Sequence, residues 1–519
     1  MSSLFFPLLL LLFSLFSPSF SIPPYSFYIN CGSSTEIRSD NQQWVPDKEY
    51  ISAGANRNLH LSWVLPILST VRSFPVYGNL NKKFCYEIGP IVRSAKYMVR
   101  TTYFYGGVNG PSYKNPPVFD QIVDGTLWGR VNTTDDYARN MSSYYEGVFQ
   151  AVGKSISVCV GVNEVTDSDP FISAIELVML GDSVYNSTDF GANALTLIAR
   201  SNFGYTGPMI RSPEDQFDRF WQPFGANGPI TGVSNVSVSG IWNLPPAKIF
   251  DTRLTVESGP LELQWPEGPL PSSTYYIAMY FADDRASPSH REFSISINDV
   301  PYINNLNATS SGVAVFATKW PLDGLTNLKF TPAAGSDSGP LINGGEIFNI
   351  LLLGKRTLVR DVIALERVKS SLANPPEDWN GDPCFPAKYS WTGITCSNNG
   401  SRIRIISINL ENMGLSGSLS PHIANLTALN TIVLRRNNLS GTIPFSLGSL
   451  KLLEILDLAS NQLSGTIPSS LGDLKSLREL HLEHNNLSGT VPKSLLQKPG
   501  LNFTFTPGNR LSLPPGRKL

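Results

Sequence analysis

Charged residues are scarce in this chain. Asp, Glu, Lys and Arg together make up 16% of its 519 residues, against about 25% in an average soluble domain. The 40 basic and 41 acidic residues nearly cancel, so no global electrostatic field would attract a nucleic acid or a membrane surface. We therefore expect no nucleic-acid partner.

Cysteine is also rare, with five residues. So few cysteines leave packing as the main source of stability, with one or two disulfides as local staples. The closeness of Cys384 and Cys396 in the sequence predicts a disulfide between them, with a second predicted between Cys85 and Cys159 and Cys31 left over. A metal site at Cys384 and Cys396 is the alternative, but no histidine lies near them. We expect no metal and no cofactor.

The sequence has one long apolar run, over residues 4–16. Ser19 and Ser21 follow it in small-residue cleavage positions, which predicts a secretory signal peptide over residues 1–21, although the usual positive charge is missing. A buried core helix is the alternative. No later segment has about 20 continuous apolar residues, so the sequence predicts no membrane span. Residues 501–519 are interpreted as a C-terminal tail or linker.

Ten Asn-x-Ser/Thr sequons agree with secretion and predict a heavily glycosylated extracellular surface. The acceptor residues are Asn132, Asn140, Asn186, Asn235, Asn307, Asn399, Asn425, Asn438, Asn486 and Asn502.

A 24-residue repeat is the strongest pattern that the chain contains. The motif Leu-Ser-Gly starts at Leu415, Leu439, Leu463 and Leu487. One position of the repeat is an asparagine in the last three copies, at Asn437, Asn461 and Asn485. Met413 occupies this position in the first copy. This pattern is a leucine-rich repeat, whose coils stack because none can bury its leucines alone. It predicts a solenoid of about four coils over residues 401–500.

The segment before the repeats is all-β in pattern, with short Val/Ile/Tyr/Phe runs separated by Gly, Pro, Asn and Asp. It also contains a faint duplication, because Tyr103-Phe104 recurs as Tyr280-Phe281 and two further matches fall at nearly the same offset. We predict two β-sandwiches, at residues 26–181 and 200–354.

Residues 355–400 are predicted to cap the solenoid. Apolar residues at helical spacing over 357–372 indicate a short amphipathic helix, and the Cys384–Cys396 pair follows it. A first coil without such a cap would expose its leucines to water.

Seven short stretches resemble plant malectin-like, leucine-rich-repeat receptor-like proteins. They are Tyr28–Gly32, Phe84–Glu87, Tyr97–Arg100, Pro170–Leu177, Pro213–Trp221, Arg291–Asn298 and Gly381–Cys384. The resemblance implies a mainly β protein with tandem malectin-like sandwiches, a short repeat array, usually a membrane span and often a cytoplasmic kinase. This sequence departs from that plan and looks most like the members without a kinase. Its expected location is the apoplast or cell wall, or the plasma-membrane surface if the natural protein carries a span.

Resemblance to malectin also implies a possible carbohydrate ligand, though no short motif identifies contact residues. Tyr105, Tyr113 and Trp128, together with Tyr103, offer aromatic faces on which sugar rings stack. The alternative, favoured for each residue singly, is that these rings pack the sandwich or its loops.

The outward-facing side of the repeat strands is the second candidate surface. Alternation along the strands points Arg435, Arg436, Asp457 and His481 outward. Glu411 of the preceding coil is expected one strand spacing from Arg435. An ordinary solvated face is the equal alternative.

Catalytic patterns are poor. Acidic pairs occur at Asp135-Asp136, Glu214-Asp215 and Asp283-Asp284, and paired carboxylates serve glycoside hydrolysis. Turn surroundings and local salt bridges explain these acids more simply, so we expect no enzyme. The leading hypothesis is an extracellular recognition module that binds wall carbohydrate or a peptide and acts with a membrane receptor kinase or co-receptor. A structural wall glycoprotein is the runner-up, and a wall-sugar glycoside hydrolase comes third.

Overall fold

A computed structural model describes residues 25–515 except 77, 79, 111, 226–230, 234–235, 237, 285–290 and 399–401. The predicted signal peptide and the sequons at Asn235 and Asn399 therefore lie outside the described residues. The structure is 41% strand and 10% helix, so the predicted mainly β fold class is confirmed. The α-helices among the described residues are Thr134–Ala138, Val359–Lys369 and Lys493–Leu496.

The chain divides into two compact units. One contains Phe27–Leu177, Ser187–Leu197 and Asn349–Leu519, and we call it the sandwich-and-repeat unit. The other consists mainly of Val178–Asn186 and Ile198–Phe348, and we call it the second-sandwich unit. The first sandwich and the repeats thus fall in one compact unit, while the sequence-based domain bounds stay a prediction.

Three sets of strands form the sandwich of the sandwich-and-repeat unit. In hydrogen-bonded order, the large sheet contains Ile37–Ser39, Gln42–Pro46, Phe27–Asn30, Ala174–Met179, Lys96–Tyr103, Ser143–Gln150 and the first part of Asn193–Phe203. A four-stranded sheet contains Lys83–Ile88, Ile156–Gly161, Phe119–Val123 and Thr126–Val131. A three-stranded sheet contains Phe171–Ile172, Thr70–Ser73 and Ala55–Asn58.

The second-sandwich unit has the same kinds of sheet. Its large sheet contains the later part of Asn193–Phe203, then Gly344–Leu352, Leu270–Phe281 and Val313–Gly324, with Gln222–Phe224 beside the first strand. Its four-stranded sheet contains Leu261–Gln264, Asn327–Pro332, Glu292–Ile297 and Val300–Asn307. The three-stranded sheet contains Thr231–Val233, Thr252–Thr255 and Leu341–Ile342.

The strand order is duplicated between the two sandwiches. Numbered along the chain, both four-stranded sheets have the order 1-4-2-3, and both three-stranded sheets place their middle strand second. The strands that carry Tyr103 and Tyr280 occupy the same place beside Ala174–Met179 and Gly344–Leu352 respectively. The tandem architecture in the fold-class prediction is therefore present.

Each sandwich buries an arginine against glutamate. Arg100 is fully buried and its Nη1 lies 2.6 Å from Glu176 Oε2. Arg200 Nε lies 2.6 Å from Glu346 Oε1 in the second sandwich. Buried ions cost desolvation free energy unless pairing and hydrogen bonds satisfy them. Two of the sequence stretches that carry the family resemblance, Tyr97–Arg100 and Pro170–Leu177, thus meet in one structural ion pair.

The repeats form two parallel sheets that wind along the solenoid. One contains Ile405–Asn409, Thr431–Val433, Ile455–Asp457, Glu479–His481 and Asn502–Thr504, with Ile394–Cys396 antiparallel at its first edge. The other contains Ser416–Ser418, Asn438–Thr442, Gln462–Gly465, Asn486–Thr490 and Arg510–Ser512. Between them the repeat leucines make a continuous dry core, in which Leu456, Leu458 and Leu480 are 0% exposed.

The asparagines of the repeat are buried and bond turn backbone groups. Asn461 Nδ2 donates to Leu434 O at 2.9 Å and to Leu458 O at 3.1 Å, and its Oδ1 accepts from Leu439 N at 3.0 Å. Asn437 and Asn485 make equivalent bonds one coil away. One side chain per coil therefore satisfies carbonyls and amides that the parallel ladder leaves open.

The prediction of a tail over residues 501–519 is wrong for two segments. Asn502–Thr504 and Arg510–Ser512 are strands that extend the two parallel sheets. Asn509 continues the asparagine ladder, since its Nδ2 donates to Leu482 O at 2.8 Å. Asn509 and Leu511 also keep the 24-residue period, which is the signal that would have revealed this fifth coil. The final residues, 516–519, lie outside the described part.

The cap covers the first coil as expected. Ala364, Leu365 and Val368 of the helix Val359–Lys369 join the repeat core. The Cys384–Cys396 disulfide is present, and the Trp379 and Trp391 rings stack nearby with centroids 5.3 Å apart. The helix thus supplies the apolar surface that a missing coil would have provided.

Candidate functional site

A polar strip follows the outward face of the repeat strands and the turns just after them. We define this strand-face strip by its acidic residues, its arginines and its histidine, which are Glu411, Arg435, Arg436, Asp457, Glu479, His481 and Glu483. Successive coils place these residues about 4.8 Å apart. The strip presents side chains of both signs to solvent, since the Arg436 side chain is 61% exposed and the Glu479 side chain is 47% exposed.

The two arginines of the strip lie beyond the strand on which the sequence placed them. The strand ends at Val433, so Arg435 and Arg436 occupy the following turn. Arg436 has a φ of 58°, a left-handed turn conformation. Because the strand is only three residues long, the conformation of the turn sets the directions of the two arginine side chains. The alternation of side chains along a strand therefore does not apply to them.

Glu411 holds both guanidinium groups. Arg435 Nε lies 2.8 Å from Glu411 Oε1, and Arg436 Nη1 lies 3.5 Å from the same oxygen. Arg435 Nη1 is also 3.7 Å from Asp457 Oδ2. The predicted contact between Arg435 and Glu411 is therefore present. The Arg436 side chain is 61% exposed and the Arg435 side chain 39%, so both groups stay accessible to a partner.

Asp457 and His481 are tied into the sheet. Asp457 is buried and accepts a hydrogen bond from Ala459 N at 3.1 Å, and burial raises the pKa of its carboxyl. His481 Nδ1 lies 2.8 Å from Thr504 Oγ1, which also bonds Glu483. Thr504 comes from the fifth coil that the sequence interpretation missed. Of the four predicted strip residues, only the arginines are well exposed.

The aromatic candidates are mostly interior. Tyr105 is 1% exposed and Trp128 is 5% exposed, and Tyr103 is also buried. Their role as sugar-stacking surfaces is corrected, because neighbouring rings cover them: Tyr105 meets Tyr137, and Trp128 meets Phe149, in edge-to-face contacts. Burial raises the pKa of Tyr105 to about 12.

Tyr113 is the one predicted aromatic that reaches solvent, at 42% exposure. Trp63, which sequence reasoning did not select, is 60% exposed and lies edge-to-face on Phe104 with centroids 5.8 Å apart. Leu59, Leu61 and Trp63 alternate with polar residues as in a half-buried strand, so only the structure shows that this indole is presented at the surface.

The acidic clusters form local salt bridges. Asp215 Oδ2 lies 2.9 Å from Arg219 Nε, and Asp218 Oδ2 lies 2.8 Å from Arg211 Nη2. In the other clusters, Asp283 lies 3.5 Å from Arg291, and two further acids have closer partners. These are Asp136 with Arg139 at 2.7 Å and Asp284 with Arg253 at 2.7 Å. These partners give the acids structural roles, as the sequence interpretation favoured.

A junction between the first sandwich and the cap was not foreseen. Lys83 of the strand Lys83–Ile88 is 1% exposed, and its Nζ donates to Asp382 O at 2.8 Å, Phe385 O at 3.0 Å and Tyr389 O at 2.5 Å. Asp120 Oδ2 accepts from Tyr389 Oη at 2.9 Å. Loss of water lowers the pKa of Lys83 to about 8. Contacts that span about 300 residues leave no local sequence signal.

Gly381 brings the cap against the second disulfide. The Cys85–Cys159 bond is present in the sandwich. A Cβ on Gly381, whose φ is +65°, would come within 2.8 Å of Cys85 Sγ. Only glycine tolerates both the left-handed backbone and this close approach.

An open cleft of about 470 Å³ lies beside the junction, within the sandwich-and-repeat unit. Val359 and Val362 of the cap helix and Val152 of the sandwich contribute apolar wall. Glu87 and Glu366 are among its carboxylates. Sequence reasoning selected none of these residues as part of a candidate binding site.

The eight described sequon asparagines are all exposed, which glycan attachment requires, and their occupancy stays a prediction. Within the described ranges, no cluster of three or more His, Cys, Asp or Glu side chains has a metal-binding arrangement. In the same part of the chain, no helix combines the length and apolar character needed to cross a bilayer.

Comparison with protein families gives three matches. The model for the malectin-like domain matches residues 29–350. The models for the leucine rich repeat N-terminal domain and the leucine rich repeat match residues 359–397 and 427–487.

Individual relatives are plant receptor-like proteins. Receptor-like protein 4 of Arabidopsis thaliana is 30% identical over 455 residues, which covers 82% of this chain and 70% of that protein. A probable LRR receptor-like protein kinase of the same plant is 30% identical over 426 residues, covering 78% of this chain and 47% of the kinase. The chain thus spans about half the length of that kinase.

Among solved structures, one chain of the crystal structure of plant peptide RALF23 in complex with FER and LLG2 matches with a TM-score of 0.51 and 17% identity. The match covers 64% of this chain and 96% of that chain. At this identity the likeness shows the fold alone.

Proposed function

This chain belongs to the malectin-like, leucine-rich-repeat receptor family, and on that premise we propose that it is an extracellular recognition module that binds a peptide and acts with a partner receptor kinase. The proposed location is the cell surface or the cell wall. The observation that carries the proposal is the exposed arginine pair of the strand-face strip, held by Glu411.

The arginine pair suits an acidic or carboxylate-bearing partner. Guanidinium groups bind carboxylates with two parallel hydrogen bonds, and Arg435 and Arg436 extend from adjacent positions. Glu411 holds them in the free protein and would be exchanged for the partner's carboxylate. An exposed pair of this kind stabilises the fold by only about 0.2–1 kcal/mol, so little folding free energy opposes the exchange.

A peptide ligand is favoured over carbohydrate by two observations. The predicted sugar-stacking rings Tyr105 and Trp128 are buried. The solved structure in which one chain resembles this protein is a complex of the plant peptide RALF23 with FER and LLG2. Carbohydrate binding is retained as a second candidate because Trp63 and Tyr113 present exposed rings on the sandwich.

Replacing Arg435 and Arg436 by Ala tests the strip. We expect the free energy of unfolding to change by less than about 1 kcal/mol. Capture of membrane partners from plant extracts should weaken by about tenfold or more, since loss of a charge-assisted hydrogen bond costs about 1.5–3 kcal/mol. The loss should be larger at low salt, where charges are least screened. Capture is measured on immobilised chain, with stability measured by denaturant titration.

The matched control is Lys475→Ala with Lys493→Ala, which removes the same charge from two exposed positions outside the strip. This control should retain capture at every ionic strength. Equal capture by the arginine double variant and the parent at low salt would place the partner surface outside the strip. A chain that captures no partner would support the structural-glycoprotein alternative.

A further inference from the structure

The cleft beside the sandwich–cap junction has an apolar wall that no part of the described chain covers. Val359, the first residue of the cap helix, is 60% exposed and Val152 of the sandwich is 41% exposed. Val362 lies one helical turn further and lines the same cleft. Apolar side chains left in contact with water at a concave surface are typical of ligand sites.

The rim of this cleft carries more carboxylates than cations. Asp124 Oδ2 lies 3.6 Å from Arg356 Nη1, and Glu366 Oε2 lies 3.8 Å from Lys369 Nζ. Among the described residues, Glu87 has no lysine or arginine within salt-bridge distance. Within the described part of the chain, its oxygens accept from Gly381 N at 3.1 Å and Ser155 Oγ at 3.3 Å.

Both cations of the cleft are already engaged. Lys369 Nζ also donates to Trp379 O and to Asn380 Oδ1, and Arg356 faces Asp124. Asp382, which also lines the cleft, receives its hydrogen bonds from Thr357, Cys384 and Phe385. The charge left over in the cleft is therefore negative, and it lies next to the apolar wall.

We propose that this cleft is a second binding site, separate from the strand-face strip, which takes an arginine or lysine side chain of a peptide partner. The aliphatic stem of such a side chain would lie on Val359, Val362 and Val152. Its charged head would reach Glu87. Long basic side chains bury their methylene stems on apolar surface while their charged heads find polar partners, which fits the two halves of this cleft.

Protonation of Glu87 should be coupled to this binding. Glu87 is accessible from the cleft. The protein around its carboxyl group displaces water that would hydrate the charged form, and Asp124 and Glu366 add negative charge, so that the pKa of Glu87 is raised to about 7. Desolvation raises the pKa of Asp124 and Glu366 as well. Arg356, Lys369, Asp382 and, on its own strand, Lys83 are the other charged groups nearby.

The sign of the pH dependence follows directly. A cationic head favours the ionised carboxylate, so ligand binding lowers the pKa of Glu87 and releases a proton. The carboxylate is mostly ionised above pH 7 and mostly protonated below it. Affinity should thus rise as the pH increases from 5.5 to 8.

The test titrates N-acetyl-arginine methylamide into the full chain and follows binding by ligand-observed NMR. The matched probe is N-acetyl-citrulline methylamide, which has nearly the same shape and no charge. At pH 8 we expect the arginine probe to bind at least about tenfold more tightly than the citrulline probe, as a charge-assisted hydrogen bond implies. Glu87→Gln should abolish that preference and flatten the pH dependence.

Two further variants keep the result interpretable. Glu366 lies on the half-exposed face of the cap helix. Glu366→Gln should weaken binding of the arginine probe by a smaller factor than Glu87→Gln, without affecting folding. Glu454→Gln makes the same chemical change at an exposed repeat position outside the cleft and should leave binding unchanged. The Arg435→Ala and Arg436→Ala double variant should also bind the probe normally, so failure at the strip and failure at the cleft are distinguished.

Three outcomes would overturn the proposal. They are no binding of the arginine probe, equal binding of the citrulline probe, and binding that strengthens at acid pH. Retention of the full charge preference by Glu87→Gln would likewise show that the probe binds elsewhere.

Discussion

Leu458→Ala should lower the free energy of unfolding of the repeats by about 2–5 kcal/mol, the range measured for truncation of a buried leucine. Leu458 is 0% exposed in the continuous core, and its coil contacts a neighbour on either side. A cavity there cannot be filled by collapse, because both parallel sheets fix the spacing of the coils. The effect should be seen as a lower midpoint of the transition of the sandwich-and-repeat unit in calorimetry.

Leu452→Ala is the matched control, since the same change occurs at a residue that is 54% exposed in the same coil. It should cost less than about 0.5 kcal/mol. The transition of the second-sandwich unit should stay unchanged in both variants, because solenoid coils pass strain mainly to their neighbours. An equal shift of both calorimetric transitions by Leu458→Ala would contradict this independence.

Lys83→Met should destabilise the sandwich-and-repeat unit by about 2–5 kcal/mol, because three carbonyls would lose a buried, charged donor. The substitution keeps an unbranched side chain as far as the position of Lys83 Cε and removes the hydrogen bonds of Nζ to Asp382, Phe385 and Tyr389. Hydrogen exchange should show lost protection in the cap around Trp391, whose amide bonds Pro383 O. The repeat leucines, which lie far along the solenoid, should be less affected.

Lys82→Met provides the control, since it makes the same change at the adjacent, partly exposed position. Its stability and exchange pattern should match those of the parent. If Lys83→Met also unfolds at the parent's midpoint and keeps its cap protection, the junction does not couple the first sandwich to the repeats. Neither substitution removes a cysteine. Non-reduced peptide mapping should therefore find the same disulfides in both variants and in the parent.

The repeat region shows how far sequence reasoning reaches. The 24-residue period predicted the coils, the buried leucines and the bonded asparagines, because each coil is specified by residues within one period and its neighbours. The period also contained the fifth coil, at Asn509 and Leu511. That coil was missed because Phe503 on its strand and Phe505 just after it replace the expected leucines.

The candidate sites were predicted less well. The contact of Arg435 with Glu411 was found, because it joins equivalent places in adjacent coils. Tyr105 and Trp128 are buried, as the favoured packing alternative predicted, while the exposed Trp63 was overlooked. The side chains of a strand point alternately to the two faces of its sheet. Which of these faces is buried depends on a second sheet, whose residues lie far away in the sequence.

The sequence by itself determined the mainly β class, the capped solenoid, the tandem arrangement and the family, since all of these depend on local periods and short motifs. Only the tertiary structure decided that Lys83 of the first sandwich anchors the cap near Asp382, and that Glu87 lies in a cleft with Glu366. The physical reason is separation along the chain. These groups are about 280 to 300 residues apart, and their contacts arise only when independently patterned segments pack against one another.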